Sequence, residues 1–238
     1  MRRLTFWQCS IILLTGQLFE KKPVTARESV KSEPRWTRRK EARPEEITAA
    51  ALELFVERGY AATRLEDVAA RAGVSKGTLY LYFANKEELF KAVVREALVA
   101  RLVEFRSQID KYQGSSFELL SLMVKAWWEK IGSTRISGIP KLILSEARNF
   151  PEIADFYVAE VVRPGRETIE AIIRRGIERG EFRDVDVENT AHLLVAPMLL
   201  ISLWRNSLEC CSDEKIDPAA LMHAHVDMLS RGLARDGT

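Results

Sequence analysis

The residues best equipped for chemistry stand in one short run, Lys76-Gly77-Thr78-Leu79-Tyr80-Leu81-Tyr82-Phe83. Lysine offers a charged donor to phosphate or guanine, threonine a methyl and a hydroxyl suited to a base edge, and tyrosine a phenol that donates to a phosphate oxygen. This is the chemistry of holding a nucleic acid rather than of turnover. Elsewhere the sequence has no Ser/His/Asp order, Gly-rich phosphate loop or paired-carboxylate site in a supporting context, so no catalytic residue is assigned. Cys9, Cys210 and Cys211 have no metal-ligand spacing with His192, His223 and His225, and three cysteines make no disulfide framework. No metal or cofactor is expected, and a reducing compartment fits best. The adjacent Cys210 and Cys211 read as passive loop thiols, with a strained vicinal disulfide as the alternative.

The flanking sequence supplies a frame for this run. Pro44 suits a first helical position, where it has no N–H to lose, and Glu45 and Glu46 complement the positive end of the helix dipole. Ile47, Ala51, Leu54 and Phe55 make one apolar stripe that Gly59 ends. Thr63-Arg64-Leu65-Glu66 has the capping-box pattern, with Thr63 capping a short second helix whose Leu65, Val68, Ala69 and Ala72 turn inward. Gly73 can take positive φ, Val74 plugs the angle between the helices, and Ser75 caps the third. Two short helices joined by a glycine turn are the helix-turn-helix signature.

In the third helix Leu79 and Phe83 face the core, which turns Lys76, Gly77, Thr78, Tyr80 and Tyr82 outward. The competing reading makes Tyr80 and Tyr82 core aromatics. Gly77 costs about 1 kcal/mol relative to Ala in a helix, which makes sense where backbone must approach a phosphate or base edge. Asn85-Lys86-Glu87-Glu88 opens a fourth helix of roughly 20 residues, about 30 Å, long enough to join a head to a body.

The run from Thr63 through Lys86, centred on GVSKGTLYLYFANKEELF, resembles the DNA-binding domain of the TetR/AcrR family of bacterial transcriptional regulators. The resemblance implies an all-α protein in which an N-terminal three-helix helix-turn-helix DNA-binding domain is joined by a long helix to an α-helical ligand-binding and dimerisation domain. It places residues 43–103 in the first domain, with the motif at about 64–83, and residues 104–238 in the second. Transferred position by position, it implies that Lys76, Gly77, Thr78 and Tyr80 meet bases and adjacent phosphates in the major groove. Thr63, Arg64, Tyr82 and Lys86 would fasten to phosphates. Arg64 stands where many relatives carry a small hydroxyl residue. Lys86 also reads as a solvated first-turn lysine, although a cation near a helix N-terminus is unfavourable without an anion.

From about Ser116 the pattern stays helical, without strand signals. Pro164 and Gly165 are expected to bend or break the helix opened by Phe150-Pro151-Glu152, and Pro197 to kink the helix capped by Asp186. Asp217-Pro218 caps the last helix. The resemblance implies that the last two long helices pair with their copies in a homodimer and that the central helices enclose an effector pocket. The apolar stripes at 191–204 and 221–233 are wide enough for both core and partner. Trp127, Trp128, Phe156, Tyr157, Met198 and Trp204 are candidates to line a cavity for a small-molecule effector, with Arg148, Glu160 or His192 orienting it. For each aromatic, plain core packing accounts for the helical spacing without any ligand.

Charge narrows how such a head works. Lys and Arg total 36 against 34 Asp and Glu, a net charge of +2 that announces no polyanion partner. Residues 1–43 hold 11 basic and 4 acidic residues, whereas residues 44–90 hold 5 and 8. Any affinity of the acidic head must come from geometry and dimerisation. Residues 1–42 read as a disordered extension or as translation from an upstream start, with no convincing export cleavage site. Five basic residues within 35–43 make an arm for phosphates or a minor groove, or else a solvated tail. No apolar run is read as approaching the roughly 18 residues of a membrane span.

The expected protein is a cytoplasmic, sequence-specific regulator of double-stranded DNA, foremost a repressor released from an inverted-repeat operator by its effector. The alternatives are an activator without effector control, and an all-helical ligand-binding protein or enzyme with a vestigial head.

Overall fold

The computed structural model describes residues 44–109 and 111–235. Cys9, the basic arm at 35–43 and every other reading of residues 1–43 lie outside them. The described residues are helical, as expected, with one isolated antiparallel bridge between Phe182 and Ala234.

The head consists of α1 (Pro44–Arg58), α2 (Leu65–Ala72), α3 (Lys76–Tyr82) and the start of α4 (Lys86–Val94). Gly73 ends α2 at φ 70°, a conformation that side chains disfavour, and so turns the chain into α3. The Ser75 hydroxyl accepts the Thr78 N–H at 3.0 Å, and the Asn85 side chain accepts the Glu88 N–H at 2.9 Å, so α3 and α4 begin where their cap residues dictate. A π-helical turn at Arg95–Val99 carries α4 into α5 (Ala100–Ile109), completing the long connecting helix.

The capping box at Thr63 is not formed. Arg64 occupies the cap position of α2 without a side-chain bond, while the Thr63 hydroxyl donates to Gly59 O at 2.7 Å and lies 3.2 Å from Leu54 O. The carbonyls of Gly59 and Leu54 at the end of α1 outcompete the amides of α2 for this hydroxyl.

In the body, α6 (Ser116–Trp127) opens with a capping box between Ser115 and Glu118 and is followed by α7 (Gly138–Glu146) and α8 (Pro151–Tyr157). A π-helical turn at Val158–Val162 then leads without interruption into α9 (Arg163–Glu178), so Pro164 does not break the chain. Proline lacks an N–H and occupies the first turn beyond the wide segment, where the regular ladder is already interrupted. Gly176 lies in the last turn of α9, and the Phe182 ring packs where its side chain would be.

Helices α10 (Val187–Leu203) and α11 (Pro218–Leu233) are capped by Asp186 and Asp217 as the sequence predicts, and α10 continues past Pro197. His225 Nε2 lies 2.9 Å from Leu194 O and ties α11 to α10. Beyond α10 the helical path runs on, so that Val187–Cys211 forms a 25-residue stretch long and apolar enough to cross a membrane by length and composition. This corrects the expectation that no such run exists. Ala191, Leu194, Met198 and Ile201 fill the protein core, and Leu193 and Leu200 add an apolar outer side.

Burial follows two clusters. The first joins Leu54, Phe55, Val68, Leu79 and Phe90 of the head to Ile139, Leu142, Ile153 and Phe156 of α7 and α8. The second gathers Leu119, Ile172, Ile173, Phe182, Leu194 and Met222. At about 1.5–3 kcal/mol for each large side chain removed from water, α7 and α8 contribute substantially to closing the head's core.

Candidate nucleic-acid interface

Local sequence builds this surface. With Leu79 wholly buried and Phe83 nearly so, α3 must direct the rest of its short length to solvent. Tyr80 and Tyr82 are each 43% exposed, which excludes the core reading of either ring. Thr78 places its hydroxyl 2.8 Å from that of Ser75. Gly77 has no tight neighbour: an added Cβ would meet only the Ser75 hydroxyl, at 3.7 Å. Protein packing therefore does not demand glycine there.

Lys76 reaches back to α2 and forms an ion pair with Glu66, and its ammonium lies 5.7 Å from the centre of the Tyr80 ring. The bond between them raises the Lys76 pKa and lowers that of Glu66. Lys76 is thus a charge held on the exposed face, restrained by a solvent-exposed partner of small energetic weight. Arg64 is exposed at the start of α2, on an otherwise acidic first turn.

Two of the eight expected contact residues are engaged within the protein. Thr63 is 2% exposed and its hydroxyl serves the end of α1, so its side chain is not presented. The Lys86 ammonium donates to Tyr60 O at 2.8 Å and to Ala61 O at 3.1 Å, and stands 4.6 Å from the Tyr60 ring centre. Burial lowers its pKa. The carbonyl oxygens and ring face take the place of the anion that the sequence reading required near this helix start.

The nine effector candidates are not brought to one place. Phe156 and Tyr157 belong to the first cluster, whereas Trp127, Trp128 and Met198 belong to the second. Arg148 and His192 are exposed. Glu160 is paired with Arg95 through two bonds of 2.6 and 2.8 Å, and the Arg95 guanidinium lies 5.0 Å from the Phe156 ring centre. This bonding lowers the Glu160 pKa, and burial alone pushes the Tyr157 phenol up to about 12.

Trp128 is covered by Arg205, which also donates to Gly132 O, and the Trp204 indole N–H is buried without a partner among the described residues. Helical spacing fixes that a residue faces inward but not which of two cores it enters. Two concavities elsewhere involve α6: one lies against α11 beside Leu120, Val124 and Val226, and the other is an open depression beside Tyr112 and Leu122. None of the nine residues lines either. The ties from Glu160 to Arg95 and from Glu146 to Ala61 were beyond sequence reasoning, since surface charges at such separations carry no periodic signal.

Comparison with known proteins agrees with this geometry. Residues 47–93 match the description "Bacterial regulatory proteins, tetR family", and residues 113–209 match "Tetracyclin repressor-like, C-terminal domain". A fatty acid metabolism regulator protein of Bacillus subtilis is 25% identical over 199 residues, covering 82% of this chain and 98% of the relative. The transcriptional repressor KstR2 of Mycobacterium tuberculosis is 30% identical over 145 residues, 60% of this chain and 71% of its own. A crystal structure of FadR from Bacillus subtilis in complex with stearoyl-CoA superposes with a TM-score of 0.59 at 22% identity, over 80% of this chain and all of that one. The helix-turn-helix head and the helical body both match, and the chain belongs to the tetR family of bacterial regulatory proteins.

Proposed function

We propose that this protein is a cytoplasmic homodimeric repressor that binds an inverted-repeat operator through α3 and is released by a small-molecule effector. The observation that carries the reading is the capped α3, which presents Lys76, Thr78, Tyr80 and Tyr82 around a glycine that packing does not require. Arg64 adds a cation at the start of α2. The acidic remainder of the head makes nonspecific attraction weak, so two heads are needed.

The dimer is supported by apolar side chains left in solvent on the last two long helices, Leu193 at 68% and Leu200 at 51% on α10 and Met228 at 73% on α11. The same pairing accounts for the apolar Val187–Cys211 stretch without a membrane. Two-fold symmetry sets two copies of α3 about 34–36 Å apart on successive turns of DNA, hence an inverted repeat. Since the relatives include a fatty acid regulator and a protein crystallised with stearoyl-CoA, a ligand with a long apolar part is the effector class we favour.

Footprinting upstream of the protein's own gene, with and without stearoyl-CoA and shorter acyl thioesters, tests the reading. Protection of an inverted repeat that is lost on adding one of them is expected; no protected repeat at moderate salt would overturn it. Leu193→Glu with Met228→Glu should shift the protein to monomer in sedimentation and abolish protection together.

A further inference from the structure

The most exposed large apolar side chain among the described residues, Leu81 at 84%, lies on α3 between Tyr80 and Tyr82. At about 100° per residue, Leu81 points almost directly away from the buried Leu79 and Phe83. Gly77, one turn earlier, falls within about 40° of the same direction. A helical side chain leans toward the N-terminus, so Leu81 leans toward the side on which Gly77 has none without filling it, since an added Cβ at Gly77 would meet only the Ser75 hydroxyl. The result is an apolar side chain beside a bare stretch of backbone, flanked by two half-exposed phenols, at the crown of the helix. A leucine so exposed gains nothing from the fold and offers no hydrogen bond, while the polar groups around it suit phosphates and base edges.

Resting on the operator-binding reading above, we propose that Leu81 is a specificity-determining residue that reads the C5-methyl group of a thymine in each half-site, with Gly77 clearing the space for that base edge. The thymine methyl is the apolar feature that the major groove displays, and it distinguishes thymine from cytosine and uracil. Lys76 and Tyr80 set the register, and Leu81 supplies discrimination.

The test uses the full-length protein and the operator found by footprinting, with each thymine replaced in turn by deoxyuridine, which keeps the pairing and removes only the methyl group. Binding is measured for wild type and for Leu81→Ala, a variant whose thermal unfolding should match wild type because the side chain is in solvent. Wild type should weaken about fourfold at one position of a half-site, the factor for about one methyl group withdrawn from water, and Leu81→Ala should be indifferent at that position. Wild-type indifference to deoxyuridine at every position, or an equal loss in Leu81→Ala, would overturn the assignment while leaving the repressor reading intact. Absence of any operator would instead strike the repressor reading itself.

Discussion

Glu146, the last residue of α7, accepts the backbone N–H of Ala61 at 3.1 Å, so a carboxylate of the body holds the turn between the first two helices of the head. Lys86 grips the same turn through the carbonyls of Tyr60 and Ala61, and the Phe150 ring meets Tyr60 edge-on at 4.8 Å. The turn is therefore fixed from both α4 and the body. Glu146→Ala should lower stability by about 0.5–1.5 kcal/mol, and Glu146→Gln, which keeps an acceptor oxygen, by less. Urea unfolding of the two variants checks this; equal losses would show that the bond to Ala61 is not what matters.

Thr63 separates a structural role from a DNA role. Thr63→Val removes a buried hydroxyl that serves Gly59 O and Leu54 O while keeping its shape, and should cost about 1–2 kcal/mol of stability. Operator affinity of the folded dimer should stay within about twofold of wild type. A large loss of affinity at temperatures well below unfolding would return Thr63 to the contact surface.

Lys76 and Glu66 give a prediction with opposite signs. Glu66→Gln removes the partner that restrains Lys76 and one negative charge near the phosphates, so operator affinity should rise a few-fold. Lys76→Ala should weaken binding by about 1–3 kcal/mol if Lys76 reads guanine, and should flatten the salt dependence by about one unit of slope if it meets phosphate. Titrations at several salt concentrations distinguish these outcomes.

Alkaline stability should depend on Tyr60. Burial, followed by the nearby carboxylates of Glu87, Glu152 and Glu146, pushes its phenol from 10.0 up to about 12. A raised folded value means that the contribution is fully present below pH 10 and is lost as the pH climbs from 10 through 12. The loss attributable to this group is about 2–3 kcal/mol. Tyr60→Phe removes this titration while keeping the ring, so the difference between it and wild type in unfolding free energy between pH 9 and pH 11.5 reports chiefly on the phenol. Tyr60→Phe should lose stability less steeply; parallel curves would remove Tyr60 from the account.

Much of the helical framework is legible in the residues because its determinants are local. Gly73, Ser75, Asn85, Asp186 and Asp217 each satisfy or end a helix within four residues of themselves, and the chain does at those points what their chemistry dictates. The same locality made Leu79 and Phe83 inward and the rest of α3 outward. The Thr63 hydroxyl serves α1 instead of α2 because two sets of backbone groups compete for it, and only the folded turn decides between them.

The body shows where such reasoning ends. That Phe156 and Met198 are buried follows from their spacing, but that they enter different cores depends on how α8 and α10 cross the molecule. Glu160 and Lys86 have the composition of ligand-binding residues, yet each is occupied by groups distant in sequence, Arg95 in one case and the Tyr60–Ala61 carbonyls in the other. By itself the sequence determined the helical class, the caps at Ser75, Asn85, Asp186 and Asp217 and the outward face of α3, since these depend on neighbours one to four residues away. Only tertiary structure decided which of those outward charges are free to meet DNA, because ion pairs and buried carbonyls are settled by packing between elements rather than within them.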